Sequence, residues 1–257
     1  MKKTDLSPVR PSERFVILDA LRGFAILGIA LANFPEFSLY TFLSAEDAAA
    51  LPASGADRWI RYGLYVLVDG KFYTLFSLLF GIGFSIILHN VARKGGNAIR
   101  LFFRRMGLLA LIGFLHLMGI WSGDILLLYA LLGMCLPLFR KLSDRWLLGV
   151  AAALLFLRRP RLPLFRWLAA PGRMALSNYI GQSVAGMGIF YGIGLGLGAH
   201  TSLLFTEVIV LAVFLFQQVF SQRWLTFFRF GPLEWIWRMS TYGHWIDCRK
   251  PKQRMEV

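Results

Sequence analysis

Long apolar runs that end in clusters of lysine and arginine fill most of the chain between residues 16 and 221. At about 1.5 Å of rise per helical residue, runs of this length cross most of a bilayer core of roughly 30 Å. The candidate spans are residues 16–34, 72–90, 104–121, 124–139, 174–196 and 202–221. A further run at 146–157 is too short to cross. The sequence therefore predicts an all-α fold, a polytopic transmembrane helical bundle of about six to seven spans with interfacial helices.

Composition and charge distribution indicate a membrane protein and argue against a nucleic-acid-binding one. Hydrophobic residues make up 57% of the 257 positions, and the mean hydropathy is +0.58, whereas a soluble domain has roughly 45–50% apolar residues. The formal net charge of +14 is divided into short segments between the apolar runs, so it does not form a single basic patch. The expected partners are the lipid bilayer and a small-molecule substrate.

The lysines and arginines alternate between the two sides of the predicted membrane. Segments 1–15, 91–105, 140–145, 158–173 and 222–257 hold four, five, three, five and seven of them, whereas segment 35–71 holds three beside five acidic residues. The positive-inside rule then places both termini in the cytoplasm. The alternation would fail if the run at 146–157 crossed. We therefore expect this run to dip in and return, to lie at the interface, or to mark the loss of internal sequence.

The sequence divides into an N-terminal transmembrane half at residues 1–157 and a C-terminal transmembrane domain at 158–257 with a basic cytoplasmic tail. Two interfacial helices are predicted. One begins at about Asp57 near the outer surface, after a turn that contains proline and glycine. The other lies within residues 223–245, where tryptophans occur among arginines, and is broken at Gly231-Pro232.

His116 is the most informative single residue. It lies eleven positions after Arg105, about 16 Å deep by helical rise and thus close to the midplane of the predicted membrane. Imidazole is suited to proton transfer near neutral pH, which makes His116 a candidate general base. The alternative is a histidine that hydrogen-bonds to a neighbouring helix. Asp124 follows in a short outer turn, where it either caps the next helix or contributes to the site.

Asp19 and Arg22 are charged although they lie within the first apolar run. Their spacing of three puts both on one helix face, where they can neutralise each other. The pair is either a structural intramembrane ion pair or a contact for an anionic ligand.

Two further pairs are candidate substrate-binding residues. Asn178 and Gln182 share a helix face by their spacing of four, and their amides either hold a polar substrate or bond to a neighbouring helix. Asp69 and Lys71 flank a glycine at the outer start of the second span, where Asp69 can instead cap the helix.

No metal and no resident cofactor are expected. The four histidines form no H-x-x-x-H pair, and Cys135 and Cys248 lack the spacing of a metal site. Glu207, one turn inside the last span, needs a partner that the sequence does not identify.

Five stretches together resemble the YeiB-like family of bacterial integral membrane proteins, whose C-terminal half is a domain of unknown function. In chain order they are RFVILDALRGFAILGI, DGKFYTLFSLLFGIGFSI, RRMGLLALIGFLHLMGIWSGDILLLYALLG, GRMALSNYIGQS and FRFGPLEWIWRMSTYG. Members of that family are longer. The resemblance therefore implies that sequence is missing here between LLGVAAALLF and RLPLFRWLAAPGRMALSNY, which is where the alternation of charge also fails.

The YeiB-like family is distantly similar to transmembrane acyltransferases, whose opening L-D-x-x-R-G phrase matches Leu18, Asp19, Arg22 and Gly23. That similarity implies transfer of an acyl group to a polar acceptor from cytoplasmic acyl-CoA, which would be a co-substrate rather than a cofactor.

In such a reaction His116 is the expected general base, and Asp19 with Arg22 orders the inner half of the cavity. Asn178 and Gln182 would position the acceptor. The alternatives are a transporter or permease for a small polar or anionic solute, and an inactive truncated remnant.

Overall fold

The structure is a computed structural model that describes residues 15–93, 95–137 and 163–250. These residues are mostly helical, and no β-strand occurs among them apart from an isolated bridge between Phe228 and Arg249. The helices are α1 (Val16–Phe37), α2 (Ala45–Ala50), α3 (Ser54–Leu67), α4 (Lys71–Arg93), α5 (Ala98–Gly119), α6 (Leu126–Met134), α7 (Pro163–Arg173), α8 (Ala175–Phe190), α9 (Leu203–Phe227) and α10 (Pro232–Tyr242). The predicted all-α class is confirmed.

Four helical stretches in the described ranges are long and apolar enough to cross a membrane. They are α1, the continuous segment Ser54–Val91, α5 and α9. The predicted spans at 124–139 and 174–196 form the shorter helices α6 and α8, of 9 and 16 residues. Helix α8 ends early because a glycine-rich turn with a left-handed glycine, Gly196, follows Phe190. The orientation of the termini and the crossing of α6 and α8 stay predictions, and the run at 146–157 lies outside the described residues.

Helix α1 lies in the middle of the bundle and packs against α4, α7, α8 and α9. Its closest approach is to α7, where Gly23 faces Gly172. A Cβ added at Gly23 would lie 2.0 Å from the carbonyl oxygen of Leu168, and one at Gly172 would lie 1.6 Å from the carbonyl oxygen of Asp19. Only residues without a side chain permit such a backbone approach. The glycine that ends the L-D-x-x-R-G phrase therefore sets the position of α7 beside Asp19 and Arg22.

Helix α3 begins at Ser54, close to the predicted start at Asp57. The carboxylate of Asp57 reaches helix α9, which is far away in the sequence. The two carboxylate oxygens of Asp57 accept hydrogen bonds from the backbone N–H groups of Leu203 and Leu204, both at 3.1 Å. Asp57 thus caps the first turn of α9, in place of the adjacent Ser202, which makes no side-chain cap bond there. The predicted break at Gly231-Pro232 is also confirmed, because α10 begins at Pro232.

Candidate functional site

A cavity of about 270 Å³ lies among α1, α4, α5, α6, α7, α8 and α10. Its middle part is lined by apolar side chains from α1, α4 and α5, including Ile26, Ile29, Phe80, Phe84 and Leu109. Several of these also belong to the cluster of buried residues that joins α1, α4 and α5. The cavity is therefore a largely apolar, partly open space in the core of the bundle, of the kind that accommodates a small ligand.

Charged side chains gather at one end of this cavity, where α1 and α5 begin and α10 crosses. Those among its described lining are Asp19, Arg22, Arg105, Arg173, Glu234 and Arg238. Nη1 of Arg22 lies 3.1 Å from Oδ1 of Asp19, so the ion pair predicted from their spacing is confirmed. Four guanidinium groups against two carboxyl groups give this end an excess of positive charge.

Two of these arginines lie on aromatic rings. The guanidinium of Arg105 is 3.9 Å from the ring centroid of Trp237, and that of Arg238 is 4.7 Å from the ring of Phe230. The indole N–H of Trp237 also donates to the backbone oxygen of Arg105 at 3.1 Å, which fixes the two helices in register. Arg105 is near enough to Arg238 and Arg22 for mutual electrostatic repulsion. Like charges held this close in a weakly polar cavity favour the binding of an anion.

Glu234 links the start of α10 to the start of α8. Its carboxylate accepts hydrogen bonds from the backbone N–H of Ser177 at 3.0 Å and from the Ser177 hydroxyl. That hydroxyl in turn accepts a bond from the N–H of Leu233 at 3.1 Å. Burial raises the pKa of the Glu234 carboxyl, and the hydrogen bonds from Ser177 lower it by less. Glu234 therefore anchors the helix that carries Arg238.

Two tyrosines line the deep part of the cavity, away from the beginnings of α1 and α5. The hydroxyl of Tyr129 donates to the backbone oxygen of Tyr73 at 2.9 Å, and the Ser77 hydroxyl donates to Tyr129 at 3.2 Å. The hydroxyl of Tyr179 accepts from the N–H of Ile125 at 3.3 Å. The deep wall thus combines aromatic rings with polar groups whose geometry is fixed by neighbouring helices.

His116 lies behind this deep wall and does not line the cavity. Its Nδ1 is 2.8 Å from Oδ1 of Asp124, while Oδ2 of Asp124 accepts from the N–H of Leu127 at 2.8 Å and caps α6. Nε2 of His116 is buried and makes no hydrogen bond within the described part of the chain. The His116 ring centroid is 5.4 Å from that of Tyr179. Tyr179 therefore stands between the cavity and a buried His-Asp pair.

The other predicted substrate-binding residues lie elsewhere. Nδ2 of Asn178 donates to the carbonyl of Pro171 at 3.1 Å and to the Ser221 hydroxyl at 3.0 Å. Nε2 of Gln182 donates to Oε1 of Gln217 at 3.0 Å. Both amides thus lie where α8 meets α9, in the helix-bonding arrangement that was the alternative to substrate contact.

Asp69 and Lys71 are exposed and do not line the cavity. The ammonium group of Lys71 donates to the carbonyl oxygens of Tyr65 and Asp69, each at 3.2 Å. The Lys71 side chain therefore joins α3 to α4, at the opposite end of the bundle from the arginines that line the cavity.

Sequence reasoning missed Arg105, Arg238 and Tyr179 as cavity residues. Arg105 belongs to a basic segment whose composition indicates only a membrane boundary. Its aromatic partner Trp237 is 132 positions away in the sequence. The arginines and tryptophans of residues 223–245 likewise indicate only an interface. To predict that these residues meet at one cavity, one would need to know the order of the helices around the bundle.

Comparison of the sequence with known protein families identifies the family of this chain. The family described as "Protein of unknown function (DUF418)" matches residues 87–244, which is more than half of the chain. The chain belongs to the DUF418 family. The match includes the residues of α5, α6, α8 and α10 that line the cavity, and it begins after Asp19 and Arg22. No solved structure matches this DUF418 chain.

Named relatives of the DUF418 chain are themselves uncharacterised. YxaH of Bacillus subtilis is 26% identical, with 96% of this chain and 99% of YxaH covered. A 39.9 kDa protein from the amylase 3′ region of Bacillus acidopullulyticus is 27% identical, with coverages of 93% and 96%. YeiB of Escherichia coli is 40% identical over 48% of this chain and 30% of YeiB. The resemblance to a YeiB-like family is confirmed.

The alignment with YxaH is much longer than this DUF418 chain. It extends over 397 positions, whereas 96% of 257 residues is about 247, so about 150 aligned positions have no residue here. The point at which the sequence predicts internal loss, near residue 157, lies outside the described residues.

Proposed function

We propose that this protein is a membrane-bound acyltransferase that binds acyl-CoA in the cavity and transfers the acyl group to a polar acceptor. The observation that carries the proposal is the arginine cluster at one end of an otherwise apolar cavity. An anionic head joined to an apolar chain is the ligand that complements both parts of such a space.

The two parts of the ligand would bind by different forces. The acyl chain gains free energy by leaving water for the space beside Ile26, Ile29 and Phe84. The phosphates would meet guanidinium groups, which bind phosphate by in-plane N–H donors. The cation–π contact of Arg105 with the Trp237 ring, 3.9 Å from guanidinium carbon to ring centroid, holds this guanidinium at the charged end of the cavity.

His116 supplies the chemistry in this proposal. With Asp124 accepting from Nδ1–H, Nε2 carries the lone pair that takes a proton from the hydroxyl or amine of the acceptor. The acceptor atom then attacks the thioester carbonyl, the carbon–sulfur bond breaks, and the CoA thiolate leaves with the proton from His116. The Tyr179 side chain has to turn aside for Nε2 to reach the cavity. Asn178 and Gln182 serve as positioning residues because they hold α8, which carries Tyr179, against α9.

A transporter for an anionic amphiphile is the second candidate function. It is favoured by the position of His116, which lies outside the cavity lining. Binding by the arginines and the apolar wall would then be sufficient, and the His-Asp pair would stabilise the turn between α5 and α6. The two functions differ in whether the thioester bond is broken.

The test is a thermal-shift titration of the detergent-purified full chain with octanoyl-CoA. We expect stabilisation that Arg105→Gln abolishes and that Arg104→Gln retains, because Arg104 neighbours Arg105 on α5 but does not line the cavity. Release of free CoA thiol in the presence of hydroxyl or amine acceptors supports acyl transfer. Uptake of intact ligand into proteoliposomes without thiol release supports transport. A folded sample with no stabilisation overturns both and supports an inactive remnant.

A further inference from the structure

Glu207 lies in the second turn of α9, at the end of this helix that is far from the cavity arginines. Its side chain is 9% exposed, and neither carboxylate oxygen makes a hydrogen bond within the described ranges 15–93, 95–137 and 163–250. About 30 Å of helix separate Glu207 from Phe227, where α9 ends. Just beyond that end, the carbonyl of Arg229 accepts a bond from Arg173, a residue of the cavity. Glu207 therefore belongs to a different part of the bundle from the cavity.

Two hydroxyl groups near Glu207 are also buried and make no hydrogen bond in the described part of the chain. They are those of Ser202 and Thr206, both 0% exposed. A helical threonine often bonds to the carbonyl four residues earlier, and a serine before a helix often caps it. Thr206 makes no such bond, and Asp57 caps α9 in place of Ser202. Four side-chain oxygen atoms within residues 202–207 are thus buried without a hydrogen bond.

The three side chains lie on the buried side of α9, in apolar surroundings. Ser202 and Thr206 share a helix face by their spacing of four, and Glu207 follows Thr206 directly. Val210, three residues after Glu207, belongs to a buried apolar cluster with Phe34 of α1. In such surroundings an ionised carboxylate without a partner is strongly disfavoured.

The charged residues of α1 and α3, two of the helices packed against α9, do not neutralise Glu207. On α3, the carboxylate of Asp57 bonds to the first amides of α9, and Arg58 and Arg61 are exposed. On α1, the ion pair lies at the cavity, and Glu36 is exposed. Neither helix therefore supplies a buried cation to the Glu207 carboxylate.

The other two helices that contact α9 likewise place no counter-charge beside Glu207. Helix α8 contains no acidic or basic residue, and its titratable Tyr179 lines the cavity. Helix α7 contacts α9 through Phe214 and Gln218, seven and eleven residues further along. Within α9 the next charged residue is Arg223, sixteen positions away. Burial rather than a charged neighbour therefore dominates the environment of the Glu207 carboxyl.

We propose that Glu207, with the hydroxyls of Ser202 and Thr206, binds a monovalent cation, either a proton or a sodium ion. One positive charge neutralises one carboxylate, and the hydroxyl oxygens provide further hard ligands of the type that such cations prefer. A Ca²⁺ ion takes six to eight oxygen ligands, and the described residues contain no group of three or more acidic, histidine or cysteine side chains that could hold a metal ion. The cation site goes beyond the proposed acyl transfer and does not depend on it.

Labelling with dicyclohexylcarbodiimide tests the site, because this reagent modifies protonated carboxyl groups in apolar surroundings. The full chain in detergent is treated in a choline buffer without sodium at about pH 6 and about pH 9, and mass spectrometry of its peptides quantifies the label on Glu207. We expect about tenfold less label at the higher pH, since the ionised carboxylate does not react.

Added sodium distinguishes the two cations. Sodium at about ten times its Kd should lower the label at the lower pH about tenfold if it competes for the carboxylate. In that case Thr206→Val, which removes one hydroxyl ligand, should weaken the protection, and unchanged protection would overturn the role of the hydroxyl. Label that depends on pH but not on sodium identifies a proton site.

Glu207→Gln should lose this label and keep its folded yield, because the amide has a similar shape and no charge. Glu46→Gln, at an exposed position on α2, is the matched control and should keep the label on Glu207. A folded wild type without label on Glu207, or with equal label at both pH values with and without sodium, would overturn the cation site. The proposed acyltransferase would still stand, because Glu207 does not line the cavity.

Discussion

Nδ1 of His116 lies 2.8 Å from Oδ1 of Asp124, and the two side chains are 1% and 0% exposed. Because Oδ2 of Asp124 accepts from the N–H of Leu127, the carboxylate is held in one orientation by the helix that it caps. The imidazole is therefore oriented by backbone geometry, with Nε2 directed away from Asp124. This arrangement satisfies the usual requirement for a general base, an imidazole whose ring position is fixed by a second group.

Replacing His116 by alanine tests the assigned role of the imidazole. We expect thiol release from octanoyl-CoA to fall by about 10²-fold or more, as for loss of a general base. The stabilisation by octanoyl-CoA should be unchanged, because His116 does not line the cavity. Parallel measurements of folded yield by size-exclusion chromatography provide the control. Loss of folded protein together with activity would identify a structural histidine.

Gly23→Ala is expected to loosen the contact between α1 and α7. The added Cβ would lie 2.0 Å from the carbonyl oxygen of Leu168, so one of the two backbones has to move. Overpacking of this kind destabilises by about 1–3 kcal/mol, which a thermal unfolding measurement detects. Gly81→Ala on α4 is the matched control, since nothing lies within 4 Å of its added Cβ. Equal melting temperatures for the two variants would contradict the close approach.

Gln182→Leu separates the two roles predicted for the amides of α8. Removing the bond to Gln217 should lower stability by about 0.6 kcal/mol, the average for interhelical hydrogen bonds measured in a membrane protein, for which the maximum is about 1.7 kcal/mol. The affinity for octanoyl-CoA should remain that of the wild type. An unchanged melting temperature combined with a weakened interaction with the acceptor would restore the substrate-binding role.

The raised pKa of the Glu234 carboxyl should make the stability of the protein depend on pH. Its pKa is raised in the folded state by burial, so the folded chain binds more protons than the unfolded chain between the ordinary pKa of glutamate and the raised value. The stabilising contribution is therefore complete below the ordinary pKa and is lost as pH rises through the raised pKa. Thermal unfolding across this interval should show a steeper fall for the wild type than for Glu234→Gln. An equal fall in the two proteins would assign the pH dependence to other groups.

Local relationships of this fold could be predicted from the sequence, whereas convergence of distant residues could not. Asp19 and Arg22 share a helix face by spacing alone, and a turn as short as that between α5 and α6 brings Asp124 back towards His116. The pairing of Arg105 with Trp237 depends on which helices are neighbours, and one sequence does not contain that information. The amides of Asn178 and Gln182 illustrate a second limit. A polar group on a helix face gives the same sequence pattern whether a cavity or another helix lies opposite it.

The capping of α9 by Asp57 bears on how the chain can be divided. The first amides of α9 have no partner within their own helix, and in an apolar environment each unpaired group costs several kcal/mol. Because the carboxylate that satisfies them comes from α3, the C-terminal part of the chain is not self-sufficient. A fragment of residues 158–257 expressed alone should insert poorly and be degraded. Co-expression with residues 1–157 should rescue it, and an Asp57→Ala partner should not.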